Sequence, residues 1–118
     1  MNKRTITPTT DYSSKMISTD QVLEKLKPGQ KIFATSGVAA PGKVLSAIAQ
    51  SDASNIRDLE IIQLITLGKY LTSPNESRQY RLKTFNIGES ISKDIADGKV
   101  DFIPANLMEL PYIFLSGA

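Results

Sequence analysis

Leu59 to Thr66 reads Leu-Glu-Ile-Ile-Gln-Leu-Ile-Thr, an almost unbroken apolar run too short for a helix of ordinary length and rich in β-branched residues. A half-exposed strand alternates apolar and polar positions, so a continuous run predicts a strand covered on both faces, the pattern of a parallel sheet. The flanking segments agree. Lys31 to Thr35 and Leu82 to Ile87 read as strands, and Val100 to Ile103 as another ended by Pro104. Short amphipathic stretches alternate with them. The pattern predicts an α/β fold with a mostly parallel sheet and flanking short helices.

The helices carry local signals. Ser18 and Gln21 stand at capping-box spacing, with Ile17 and Val22 placed for a hydrophobic staple. Val22, Leu23 and Leu26 share a face, and Pro28-Gly29 ends the helix. Val44, Leu45 and Ile48 define a second helix. Ile91 and Ile95 define a third within Glu89 to Asp97, closed by Gly98. Asn55 to Asp58 and Gly68 to Arg78 read as turns. Asn106 caps a helical turn before Pro111, and Tyr112 to Leu115 is a last apolar run, read as a strand. Met1 to residue 16 is a polar arm with no apolar stretch of the signal-peptide kind.

Composition removes several functions. Among 118 residues there is no cysteine and no histidine. Thiolate chemistry, disulfides and the commonest zinc ligand are therefore absent from this chain, as is the usual general base near neutral pH. The reading is no metal site, a reducing cytoplasmic setting, and chemistry resting on carboxylates, hydroxyls, lysines, tyrosines or backbone amides. A net charge of +2 gives no field for nucleic acid, and no apolar run approaches the length of a membrane span.

The loop after the first strand is the first candidate site. Gly37-Val-Ala-Ala-Pro-Gly42-Lys43-Val44 is close to a phosphate loop in a strand–loop–helix context. Val44 stands where a metal-binding hydroxyl belongs, and Pro41 lacks the N–H that such a loop turns inward. A phosphate- or nucleotide-binding module using Gly37 to Lys43 remains the alternative reading. A purely structural turn is another, and a stand-alone interaction domain a further one. Ser36 lacks the flanks of a nucleophile elbow and reads as a loop serine bonding the backbone. Arg78, Arg81 and Lys83 read as a solvated face, with Tyr70 and Tyr80 covering the base of the loop between them.

The order of weaker motifs carries more. A helix Ser18-x-Asp20-Gln21-x-Leu23-x-x-Leu26-Lys-Pro-Gly-Gln30 precedes the first strand, and the small-residue loop follows it. Then come Asp58-Leu-Glu60, Phe85-Asn-Ile-Gly88, Ile95-Ala-Asp-Gly98, Val100-Asp-Phe-Ile-Pro104 and Met108-Glu-Leu-Pro111. From about Tyr12 to the end, this resembles the N-terminal region of the acetyl-CoA hydrolase/transferase family, which includes acetate, butyrate and 4-hydroxybutyrate CoA-transferases. The resemblance implies that residues 17–118 are part of the first domain of a two-domain enzyme, apparently truncated. It also implies a homo-oligomer, with acyl-CoA and a small carboxylate as substrates and no tightly bound cofactor. A glutamate would attack the thioester and pass through a glutamyl-CoA intermediate.

That glutamate belongs to a Glu-x-Gly context. Glu24, Glu60, Glu76, Glu89 and Glu109 are followed two positions on by Leu26, Ile62, Arg78, Ile91 and Pro111. The nucleophile is expected outside this chain, and the isolated piece is expected to be inactive. The residues carried over are substrate-binding ones: Ser36, Gly37, Val38, Ala39 and Pro41 facing the acyl or carboxylate end, and Asn106 and Glu109 near the same cleft.

Overall fold

In a computed structural model, residues 12–66, 80–89 and 91–117 are described. Four strands form one sheet in the order β1-β2-β3-β4: β1 (Lys31–Phe33), β2 (Leu59–Ile65), β3 (Tyr80–Asn86) and β4 (Val100–Phe102). Every pairing is parallel, with Ile32 opposite Ile61, Ile61 opposite Leu82, and Leu82 opposite Val100. The α/β reading with a parallel sheet holds. Residues 68–78, read as a turn, lie outside the described residues.

Helix α1 (Thr19–Lys25) starts where the capping box places it. The Gln21 N–H donates to Ser18 Oγ at 3.2 Å and the Ser18 N–H donates to Gln21 Oε1 at 2.8 Å. Two first-turn donors without intrahelical partners are thereby satisfied. The other end of α1 is tied down by a residue the sequence reading left as a turn. The Asn55 amide donates to the carbonyls of Leu23 and Leu26 at 2.8 and 3.0 Å. Helix α2 (Gly42–Gln50) buries Leu45, Ile48 and Ala49. Helix α3 (Ser92–Ala96) ends at Gly98, whose φ of +73° explains why glycine closes it.

A sheet whose strands follow chain order, joined by right-handed crossovers, carries its connecting helices on one face. The packing agrees. Leu45 and Ile48 of α2, Ile91 beside α3 and Leu23 of α1 meet Ile61, Leu82 and Val100 in one core. Ile61 is fully buried there. The opposite face is covered by a different element, α4 (Leu110–Leu115), entered through a 3-10 turn at Leu107–Glu109. Leu110 packs with Ile62 and Phe85, and Ile113 joins them. The Phe114 ring meets Phe33 edge-on at 5.4 Å and Phe85 at 6.4 Å.

This corrects the reading of Tyr112 to Leu115 as a strand: they are helical. Pro111, expected to follow a helical turn, sits in the first turn of α4. There its missing N–H costs nothing and its fixed φ suits the helix. Asn106 does cap the turn before it, with the Asn106 N–H donating to Glu109 Oε2 at 2.7 Å.

Toward the amino ends of the strands, the α4 face is charged. Lys83 Nζ lies 3.1 Å from Glu60 Oε1, Lys31 Nζ lies 3.9 Å from Glu60 Oε2, and Arg81 grips both oxygens of Asp101. The solvated-face reading of Arg81 and Lys83 is thus refined into paired charges, while Arg78 lies outside the described residues. Hydrogen bonds from the Arg81 guanidinium hold the Asp101 carboxyl below its ordinary value and raise that of Arg81.

A carboxyl with a lowered folded value stabilises the fold above its unfolded value, near ~3.9, and loses that contribution as pH falls through the folded value. The pair is partly exposed, so screening keeps it modest. Asp101→Asn should lower the unfolding free energy by about 0.5–1 kcal/mol at pH 7. In urea titrations of the purified protein, the gap from wild type should close as the pH is taken below the lowered value.

Candidate functional site

The carboxyl ends of parallel strands are where the loops that bind ligands emerge. Here the loop between β1 and α2 is built there by an unusual extension of the sheet. Regular pairing of β1 stops at Phe33, but the next residues remain attached to β2. The Ala34 N–H donates to the Ile62 carbonyl at 2.9 Å. The Gln63 side-chain amide donates to the Thr35 carbonyl at 3.1 Å. The Leu64 N–H donates to Ser36 Oγ at 2.8 Å, and the Ile65 N–H approaches the same oxygen at 3.4 Å. In a continued parallel ladder, the Leu64 N–H would meet the Ala34 carbonyl. The Ser36 hydroxyl takes that place and lets the main chain leave the sheet.

Gly37 makes the departure, with φ +62°, in the region where a side chain is strained. Gly37–Ala39 form a 3-10 turn, and Pro41 precedes the first residue of α2. The Thr35 hydroxyl donates to the Ala39 carbonyl at 2.6 Å, closing the turn on its own base. Val38 stands fully exposed at the tip, while Ser36 and Gly37 are half-buried.

This geometry bears on the phosphate-loop reading. A phosphate loop aims consecutive amides inward at the anion. Here the N–H groups of Ala39, Ala40 and Gly42 donate to the loop's own Ser36, Gly37 and Ala40 carbonyls. These engaged amides count against a phosphate cradle in spite of the near-match to the motif.

Ser36 does bond the backbone, as its sequence context indicated, and that bonding has a chemical consequence. A hydroxyl has one O–H and two acceptor lone pairs. Leu64 and Ile65 direct N–H groups at the acceptor side, so what Ser36 offers a ligand is its O–H. Toward a carbonyl or carboxylate oxygen it is a hydrogen-bond donor. This chain holds no histidine to serve Ser36 as a base.

Asn106 and Glu109 follow β4 and lead into α4, whose first residue, Leu110, packs on Ile62 of β2 and Phe85 of β3. A shallow cleft of about 480 Å³ is lined by Pro104, Ala105, Glu109, Tyr112, Ile113 and Ser116, and no residue of 36–41 enters it. The Glu109 carboxylate already accepts the Asn106 N–H. Among the described residues, no group of acidic side chains is arranged to hold a metal ion, and no helix is long and apolar enough to cross a membrane.

Beneath the loop lies a buried polar group that sequence reasoning missed. Gln63 is 1% exposed and Thr66 2%, and the Thr66 hydroxyl donates to Gln63 Oε1 at 2.9 Å. Thr84, opposite Gln63 on β3, is fully buried with its hydroxyl on the Asn86 carbonyl. The available signal was the glutamine itself, a polar residue inside an apolar strand.

The chain is a parallel α/β layer with a small-residue loop at the carboxyl end of its first strand. Comparison with known proteins makes this specific: residues 1–118 match the acetyl-CoA hydrolase/transferase N-terminal domain, and the chain belongs to that family. It is also 27% identical over 96 residues to a succinyl-CoA:acetate/propanoyl-CoA:succinate CoA transferase of Fasciola hepatica. That alignment covers 80% of this chain and 20% of the relative, so the chain spans about a fifth of the relative's length.

Ser36→Ala removes the oxygen that holds the Leu64 N–H and should cost about 1–3 kcal/mol of unfolding free energy. The accompanying sign is local: hydrogen exchange at the Leu64 amide should accelerate well before that at Ile61.

Proposed function

We propose that this chain supplies the acyl- or carboxylate-facing wall of an enzyme that moves CoA between an acyl-CoA and a small carboxylic acid. The observation that carries this reading is the match of all 118 residues to the family's N-terminal domain. The relative's name, a CoA transferase acting on succinyl-CoA with acetate and on propanoyl-CoA with succinate, favours transfer over hydrolysis.

In the proposed reaction, a glutamate carboxylate outside these 118 residues attacks the thioester carbonyl and expels CoA as thiolate, leaving an acyl-glutamyl anhydride. The thiolate attacks the glutamyl carbonyl, releases the first carboxylate and forms glutamyl-CoA. The incoming carboxylate then repeats the sequence in reverse. Each step places negative charge on a carbonyl oxygen, and the O–H of Ser36 at a fixed loop suits such an oxygen. Gly37, Val38, Ala39 and Pro41 shape the wall around it. Asn106 and Glu109, at the entry to α4, bear on the substrate near the same cleft.

The reaction needs no tightly bound cofactor and no cysteine or histidine from this chain. We place the enzyme in the cytoplasm as a homo-oligomer, and the 118-residue piece as inactive alone.

The test is isotope exchange. A protein carrying this segment at the length of its relatives should move labelled acetate into acyl-CoA, and residues 1–118 alone should not. Ser36→Ala should slow exchange about 10- to 100-fold, the range for losing one charge-stabilising donor. A long form that neither exchanges any tested carboxylate nor releases free CoA contradicts the proposal.

A further inference from the structure

We propose that Gln63 is a positioning residue for this site, acting through the Ser36 loop and not by touching substrate. The inference rests on the proposed CoA-transfer function only for its activity readout.

The case begins with cost. Gln63 occupies the middle of β2 with neighbours on both sides, opposite Thr84, at 1% exposure. A buried amide in that position stabilises less than a well-packed apolar side chain unless each polar atom finds a partner. Both ends of the amide are engaged: Nε2–H on the Thr35 carbonyl at 3.1 Å and Oε1 accepting from Thr66 at 2.9 Å. The Thr35 carbonyl can only accept, so it takes the amide nitrogen. The amide oxygen then accepts from the hydroxyl of Thr66, just past the end of β2.

Thr35 is the residue before Ser36, and its own hydroxyl closes the 3-10 turn on Ala39. Gln63 therefore holds the peptide from which the loop departs, while the neighbouring Leu64 N–H holds the Ser36 hydroxyl. Two adjacent residues of the most buried strand fix two adjacent residues of the loop. Displacements of about 1 Å at a group that meets the reacting centre can cost about 100-fold in rate, so a fixed Thr35 peptide matters to chemistry without contact.

The experiment uses the protein at the length of its relatives. Gln63→Met keeps the side-chain length and removes both polar contacts. Gln63→Glu keeps the acceptor for Thr66 but replaces the donor to Thr35 with a repelling oxygen. Both should lower kcat for labelled-acetate exchange about 10- to 100-fold, with the KM for acyl-CoA changed less than about 2-fold. Combining Gln63→Met with Ser36→Ala should be no worse than the more severe single variant, because both act through one loop.

An activity-independent readout accompanies these. Backbone hydrogen exchange should accelerate across residues 37–42 in Gln63→Met and stay unchanged across residues 45–49 of α2. If Gln63→Met does not fold, Thr66→Val loosens the same amide and should shift both readouts in the same direction. Unchanged kcat in a folded Gln63→Met protein, or effects of the two sites that multiply, overturns the proposal. If the wild-type protein transfers no CoA, the functional reading fails separately. Hydrogen exchange then decides for Gln63, with unchanged exchange at 37–42 overturning it.

Discussion

The departure of the chain from β1 depends on a substitution of side chains for main chain. Past Phe33 the ladder to β2 continues through the Ala34 N–H, the Gln63 amide and the Ser36 hydroxyl. Each of these groups would need a partner if left in the interior, and each has one. The loop that results is anchored at its root and closed by Thr35 on Ala39. It meets α2 with its own amides turned back on its carbonyls. The same residues that resemble a phosphate motif in sequence make a compact wall in three dimensions.

The rest of the sheet explains why such an anchor fits there. Strands in chain order place α1, α2 and α3 against one face and, among the described residues, leave β1 at an edge with a neighbour on one side only. Backbone pairing with β2 ends early, and side chains complete the attachment. The other face is divided. Paired charges occupy the amino end, and Phe33, Ile62 and Phe85 meet α4 toward the carboxyl end.

What was legible in the sequence follows from locality. The Ser18–Gln21 box, the β2 run, the α2 stripe of Leu45 and Ile48, and Gly98 at the end of α3 each rest on a short-range rule. All of them were read correctly. The helix at Leu110–Leu115 was misread because Leu-Pro-Tyr-Ile-Phe-Leu is apolar on every side and carries no period, and because a proline near a boundary fits either the start or the stop of a helix. Gln63, Asn55 and the partner of Ser36 were not legible in their roles. Their hydrogen bonds join residues about 30 positions apart, and nothing local marks them. The candidate residues 36–41 and Asn106 and Glu109 were joined by motif order alone; in the fold the first group follows β1 and the second leads from β4 into α4.

The central claim is that the Ser36 hydroxyl, held by β2, presents its O–H to an oxygen of the acyl or carboxylate group. A crystal structure of the protein at the length of its relatives, with a bound acyl-CoA or carboxylate, tests it most directly. The account predicts an oxygen of that group within about 2.5–3.0 Å of Ser36 Oγ, the range of an O–H···O bond, with the Leu64 N–H still on Ser36. A carboxylate or acyl group bound away from residues 36–41, with Ser36 facing only its own backbone, would contradict it.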